Sequence, residues 1–271
     1  MGKEKFMTIE RSEELDLEEN QVKWIQSNLP KTEKLKNILS DIEKDPNNPK
    51  LRLEKGEELR KAQLFRQAID AFSEAIYLDP FYSLAYRHRG HRFLSIGMFR
   101  EGAADLELSS RIDPNNWDTW YHLGLSYYLL KDYERAERAY GICYNMSDSD
   151  ELFVAIIDWY WMTLMKNGKE GKAASILSKV TEDMDPGPNS SYHRRLLMYK
   201  GLIKPEELIN YDGASIPDLE LATQGYGLGF YYLTQGNIEK AHEIFKEVLE
   251  KSTQWAAFGY LASEVELGII K

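Results

Sequence analysis

Apolar residues recur along this chain at helical spacing. In Lys31–Asp45 (KTEKLKNILSDIEKD), Leu35, Ile38, Leu39 and Ile42 fall three and four positions apart, which places them on one helix face. The stretch from Leu152, LFVAIIDWYWMTLM, is apolar nearly throughout, and KNGKEGKAASILSKV after it supplies a turn and a second helix. Asp185–Ser191 (DPGPNSS) is a strong breaker. Two short helices are predicted near 191–200 and 205–210, the second opening on Pro205, Glu206 and Glu207, residue types that suit a helix first turn. A loop, YDGASIP, follows them, and Trp255–Ile270 reads as a closing helix. Before Lys31 the chain is rich in acids as far as Glu19, and Val22, Trp24 and Ile25 suggest an earlier helix or an anchor.

Superimposed on this pattern is a longer period. WDTWYHLGLSYYLLKDYERAERAYGIC carries Trp120, Leu123, Gly124, Tyr127, Ala136 and Tyr140. One period upstream, Tyr86, Gly90, Phe93, Gly102 and Leu106 hold the same places, and one further up, Gly56, Leu59, Ala68, Phe72 and Ala75 do so. Pro80 and Pro114, each in an Asp-Pro pair, close successive repeats. Proline disfavours helix at the residue before it, so each pair ends a helix. LGFYYLTQGNIEKAHEIF repeats the pattern with Gly229, Tyr232, Ala241 and Phe245. The small residues let the two helices of a repeat approach, and the large ones fill the gaps between repeats. A lone pair cannot bury its apolar face, so pairs stack.

These residues in this register resemble the tetratricopeptide (TPR) repeat superfamily, whose signature spans about 34 residues. The resemblance covers 49–148 and 222–252. It implies an all-α, right-handed superhelical solenoid with capping helices at both ends. The divisions expected are an acidic N-terminal segment and capping helix (1–47), three regular repeats (48–148) and a degenerate helix pair (149–186). An irregular helical insert (187–221) and a last repeat with its capping helix (222–271) complete them. The layout is also similar to NlpI-type bacterial TPR proteins, in which repeats are interrupted and then resume. Members of that type are cell-envelope lipoproteins that act as adaptors and can dimerise. This chain departs from them in showing no lipidated N-terminal cysteine.

Composition narrows the function. The formal charge is −10, whereas tracking nucleic-acid phosphates needs clustered Lys and Arg, so no nucleic-acid partner is expected. The first twenty residues hold no apolar signal core and no stretch has the length and apolarity of a membrane span, so the expected location is cytoplasmic, with a cell-envelope place left open. Cys143 is the single cysteine, which rules out an intrachain disulfide; it stands where the repeat wants a small buried residue. His193 and His242 read as surface residues. No Ser-His-Asp order, P-loop, GxGxxG fingerprint or CxxC pair occurs, so the chain is not expected to be an enzyme or to hold a cofactor.

Family analogy places the first helix of each repeat along the concave face. With Pro49, Ser83 and Trp117 as first positions, the lining includes Glu54 and Glu57, then Arg87, His88 and His91 with Arg92 beside them, then Tyr121, His122 and Tyr128. The carboxylate-clamp TPR proteins hold a C-terminal carboxylate with Lys and Asn. Arg87, His91 and His122 are the nearest equivalents here, and the Asn residues are absent. A basic, aromatic spot for an acidic or carboxylate-bearing peptide is one reading, since a guanidinium fork matches a carboxylate; an ordinary solvated face is the other. Glu54, His88 and His122 share one position on successive helices and are ligand types that Zn²⁺ accepts, without any HExxH motif. Trp159, Tyr160 and Trp161 are read first as core, second as a ligand shelf or dimer face. Three functions compete: a protein- or peptide-binding adaptor, favoured here; a metal- or small-molecule-binding protein using the groove Glu and His residues; and a self-associating homodimer using 152–165 or the last helix.

Overall fold

The computed structural model describes residues 32–209 and 218–270. The acidic leader, the Trp24 segment and the YDGASIP loop lie outside the described residues. Among those described, the chain forms helices and no strand.

The chain divides into two compact units, Met1–Thr119 and Trp120–Lys271. In the first, α1 (Glu33–Lys44) precedes two antiparallel pairs, α2 (Pro49–Lys61) with α3 (Phe65–Leu78) and α4 (Ser83–Ser95) with α5 (Phe99–Ile112). Next comes α6 (Trp117–Leu129), whose first three residues belong to this unit. The period is visible in the element boundaries: α2, α4 and α6 start 34 residues apart, and so do α3, α5 and α7 (Tyr133–Asn145). The Asp-Pro pairs act through the aspartate as well as the proline. Asp79 Oδ1 accepts from the Phe81 amide (3.0 Å) and Asp113 Oδ1 from the Asn115 amide (3.1 Å), the same turn one period on. Thr32 caps α1 and Asn48 caps α2, each accepting a first-turn amide. The first-unit core gathers Leu35 of α1 with Leu59, Ala68, Ala71 and Phe72, so α1 closes one end of that core.

The second unit continues α6 and adds α7, α8 (Asp150–Lys166), α9 (Glu170–Leu177), α10 (Ser190–Tyr199), α11 (Pro205–Leu208), α12 (Asp218–Thr234), α13 (Ile238–Lys251) and α14 (Phe258–Glu266). The closing helix therefore begins three residues later and ends four earlier than the sequence pattern suggests. Helix α14 packs on both α12 and α13. Trp159, Tyr160 and Trp161 of α8 are buried at 0%, 2% and 6% exposure, so the aromatic segment is core. Cys143 is buried as well.

One contact recurs through both units and explains the repeat signature. A Cβ on Gly56 would lie 2.3 Å from the Phe72 ring; on Gly124, 2.4 Å from Tyr140; on Gly229, 2.3 Å from Phe245. In each of these three repeats an aromatic ring of the second helix abuts the backbone of the first. The glycine is required by that approach, because any side chain would displace a buried ring.

Candidate functional site

In the first unit the predicted groove residues form a row of polar pairs with one another and with neighbouring side chains. His88 Nδ1 lies 2.8 Å from Glu57 Oε1, and its ring stacks on Phe72 at 5.4 Å. Arg60 closes on the same Glu57 at 2.8 Å, and Arg87 reaches Asp118 at 2.5 Å. Burial works to raise the Glu57 carboxyl, and hydrogen bonds from His88 and Arg60 together outweigh it, bringing it down to about 2. Glu54, placed by the sequence pattern opposite His88, is exposed and stands outside that pair. Both cross-helix pairs, Glu57–His88 and Arg87–Asp118, join residues 31 apart rather than 34. Successive first helices are thus staggered by about one helical turn, which sets each residue against one a turn earlier in the next repeat.

Arg92, taken as a neighbour of this row, is 7% exposed, with its guanidinium 5.1 Å above the Phe65 ring. Burial lowers it to about 10, helped by repulsion from Arg60 and Arg87. His91 is half-buried.

The three candidates of the second unit are placed differently. Tyr121, His122 and Tyr128 are 7%, 6% and 3% exposed. His122 meets Phe258 of α14 edge-on at 5.8 Å, and the Tyr128 hydroxyl is 2.5 Å from that of Tyr226 in α12. These side chains are spent on packing within their own unit, which corrects the expectation that they line an open groove. His193 also departs from its surface assignment: it is 7% exposed, with Nε2 2.7 Å from the Thr181 carbonyl. Among the described residues no group of three His, Cys, Asp or Glu could hold a metal ion. Glu54 and His88, two of the three residues considered for one, are accounted for above by solvent and by Glu57.

The main polar feature of the second unit was missed by sequence reasoning. Asp158 of α8 and Arg195 of α10 are both fully buried, with Nη2 3.1 Å from Oδ2. That approach is off the line of a hydrogen bond, and neither Asp158 oxygen has a hydrogen-bond donor among the described residues. Arg195 is otherwise well held. It donates to Tyr199 Oη and to the Thr223 carbonyl, each at 3.3 Å, and lies over the rings of Trp159, Tyr192 and Tyr226 at 5.5–5.8 Å. Burial raises the Asp158 carboxyl to about 7, against the pull of Arg195. Burial opposes the charge on Arg195, but Asp158 and Tyr199 hold its pKa above the usual value. Helix α10 therefore fills the face that α8 and α12 turn toward each other. One signal was available in the sequence: Asp158 is the lone carboxylate inside an otherwise apolar helical run.

No helix among the described residues is long and apolar enough to cross a membrane. The family model for the tetratricopeptide repeat matches residues 118–148. The Hsp70-Hsp90 organizing protein of Triticum aestivum is 30% identical over 127 residues, which is 46% of this chain and 22% of that protein. A second such relative, from Arabidopsis thaliana, is 30% identical over 109 residues, 40% of this chain and 20% of the relative. The chain spans about a fifth of the length of the curated relatives it matches. Among solved structures, a tetratricopeptide repeat protein from Parabacteroides merdae aligns with a TM-score of 0.55 at 14% identity, covering 86% of this chain and 91% of that one. YrrB, described as a TPR protein with an unusual peptide-binding site, aligns at 0.51 and 16%, covering 84% and 97%.

Proposed function

We propose that this chain, which belongs to the tetratricopeptide-repeat superfamily, is a non-catalytic adaptor that binds a peptide or partner protein on the first-helix face of its first unit. The observation that carries this reading is the contrast in burial along the predicted groove. Arg87 and His88 each keep 16% of their side-chain surface exposed and His91 is partly exposed in the first unit, while Tyr121, His122 and Tyr128 are 7%, 6% and 3% exposed in the second. Cationic and imidazole groups on that face suit a partner with an acidic or carboxylate-bearing segment. The relatives named as Hsp70-Hsp90 organizing proteins support an adaptor role, since such a name describes a protein that brings others together.

Native co-purification followed by mass spectrometry tests the proposal. A partner captured by the full chain and lost on substituting Arg87 and His91 with alanine is the expected result. Retention of every captured partner by that double variant would overturn it.

A further inference from the structure

Among the described residues the two most exposed large apolar side chains sit close together in sequence. Tyr77, near the end of α3, is 86% exposed, and Phe81, in the turn to α4, is 78% exposed. Leu84, in the first turn of α4, is 40% exposed. The repeat supplies an internal control for what the fold needs there. One period back and one period on, the Tyr77 position holds Glu43 and Arg111, the Phe81 position Asn47 and Asn115, and the Leu84 position Lys50 and Asp118. The turn is built the same way with either residue type, since Asp79 takes the Phe81 amide as Asp113 takes the Asn115 amide. Folding therefore does not call for apolar residues at these three places, and a patch of them in solvent marks an interaction surface.

The flanking residues say what covers it. The turns at 45–48, 79–82 and 113–116 lead into α2, α4 and α6 and stand on one edge of the first unit. Ser83 and Thr119 both reach the Ser109 hydroxyl, at 3.0 and 3.1 Å, which ties the second turn to the third. Along that edge the two sides of the apolar centre match each other: Glu43 with Arg111, Lys50 with Asp118, and Asn47 with Asn115. A second copy turned about a two-fold axis through the Phe81 turn sets each member of these pairs against the other, as an interface between identical surfaces requires. Glu43 and Lys50 are exposed, and the Arg111 side chain is 76% exposed, 3.7 Å from Glu107. Asp118, 49% exposed, is already held by Arg87, so the Glu43–Arg111 contacts carry most of the match. The aspartates of the edge are drawn into their own turns: Asp45 accepts from Asn48 Nδ2 at 3.0 Å, and Asp79 and Asp113 accept the amides named above. Tyr77 and Phe81 offer roughly 300 Å² per copy, a buried aromatic side chain covering about 150–250 Å². Two copies thus bury roughly 600 Å² at the centre, and the flanks must bring this to the roughly 1,200 Å² at the low end of specific interfaces, so the pairing is weak and reversible.

We propose that this edge is a self-association surface: two copies of the chain pair about a two-fold axis at Phe81, with Tyr77, Phe81 and Leu84 at the centre and a Glu43–Arg111 contact on either side. The surface lies in the first unit, away from the aromatic segment of α8, which is core and cannot serve.

Sedimentation equilibrium of the full chain, carried to millimolar concentration at constant low ionic strength, tests this. The wild type is expected to show a monomer–dimer equilibrium. Phe81→Asn brings in the residue that both flanking turns already carry, so the turn is kept. It should weaken the dimer by about thirtyfold or more, the loss expected for a central aromatic anchor. Glu43→Arg and Arg111→Glu should each weaken self-association by about tenfold, because each sets like charges together twice per dimer. Mixed with each other, these two single variants should associate as well as the wild type does with itself, since every contact then joins opposite charges. A wild type that stays monomeric at millimolar concentration overturns the proposal, as does a dimer that Phe81→Asn leaves intact. A mixture of the two charge variants that associates no better than either alone overturns the two-fold pairing.

Discussion

Replacing Gly227 by alanine should destabilise the second unit, although the same change elsewhere in a helix stabilises. A helix-interior glycine costs about 0.5–1 kcal/mol relative to alanine, so Gly→Ala gains roughly that much where space allows. At Gly227 there is no space: the new Cβ would meet Arg195 Nε at 2.1 Å, Cδ at 2.7 Å and Cγ at 2.8 Å. Arg195 cannot retreat cheaply, being 0% exposed, enclosed by three rings and bonded to Tyr199 and Thr223. Overpacking costs about 1–3 kcal/mol, and pushing the guanidinium off Asp158 begins to forfeit a buried pair worth about 3–5 kcal/mol when broken. Against a gain of about 1 kcal/mol, the net expectation is a loss of about 2–4 kcal/mol, or roughly thirty- to nine-hundredfold in the unfolding equilibrium.

Gly141, inside α7, supplies the control. Its added Cβ would meet only Tyr160 Oη at 3.4 Å, an ordinary contact, so Gly141→Ala should stabilise by up to about 1 kcal/mol. Urea titrations followed by tryptophan fluorescence compare the two directly, since Trp159 and Trp161 lie in the same unit. The role given to Arg195 as a fixed plug would be refuted if Gly227→Ala raised the midpoint as Gly141→Ala does. Combining Gly227→Ala with Arg195→Ala should cost less than the sum of the two, because the second change removes the atoms the first collides with.

The Asp158 carboxyl, raised to about 7 by burial, makes the folded second unit bind a proton that the unfolded chain releases near pH 4. Its contribution to stability therefore falls as pH rises from about 4 to 7, by no more than about 1.4 kcal/mol per unit, and is flat above; urea midpoints at pH 5 and 7.5 check this, and Asp158→Asn should flatten the profile. Glu57 acts in the opposite sense and in a lower window: its carboxyl is held at about 2, so the first unit should lose stability only as pH falls below about 4.5, a loss that Glu57→Gln abolishes in an acid titration of that unit's helices. Tyr128→Phe and Tyr226→Phe should each cost about 1–3 kcal/mol by leaving the partner hydroxyl buried and unpaired, while the double variant should cost little more than either single one; additive losses in thermal unfolding would show that the two hydroxyls do not depend on each other.

What the sequence made legible and what it hid follow from the range of the interactions involved. The repeat could be read because its defining contact is local. Gly56 and Phe72, Gly124 and Tyr140, and Gly229 and Phe245 are each sixteen residues apart, and one contact at one offset leaves a period. The ionic row of the first unit was legible in membership but not in pairing. Residues at equal repeat positions, such as Glu54 and His88, look aligned on paper, and only the stagger of successive helices shows that Glu57 is the one that meets His88. The second unit was the least legible because its contacts are distant in sequence. Tyr128 meets Tyr226 across 98 residues and Arg195 meets Asp158 across 37, and no periodicity encodes either.

That difference in range bears on function. A first helix that presents Arg87, His88 and His91 has the same repeat register as one that presents Tyr121 and His122, and its inner face is equally available until something packs on it. In the second unit α10, α12 and α14 do so, with aromatic rings and one buried ion pair packed among them. In the first unit the side chains of the Arg87–Asp118 and Glu57–His88 pairs keep between 16% and 49% of their surface exposed. An inner face can bind only where solvent reaches it, whatever its repeat position, and on that criterion the first-unit face carrying Arg87 and His88 is the one to challenge with ligands.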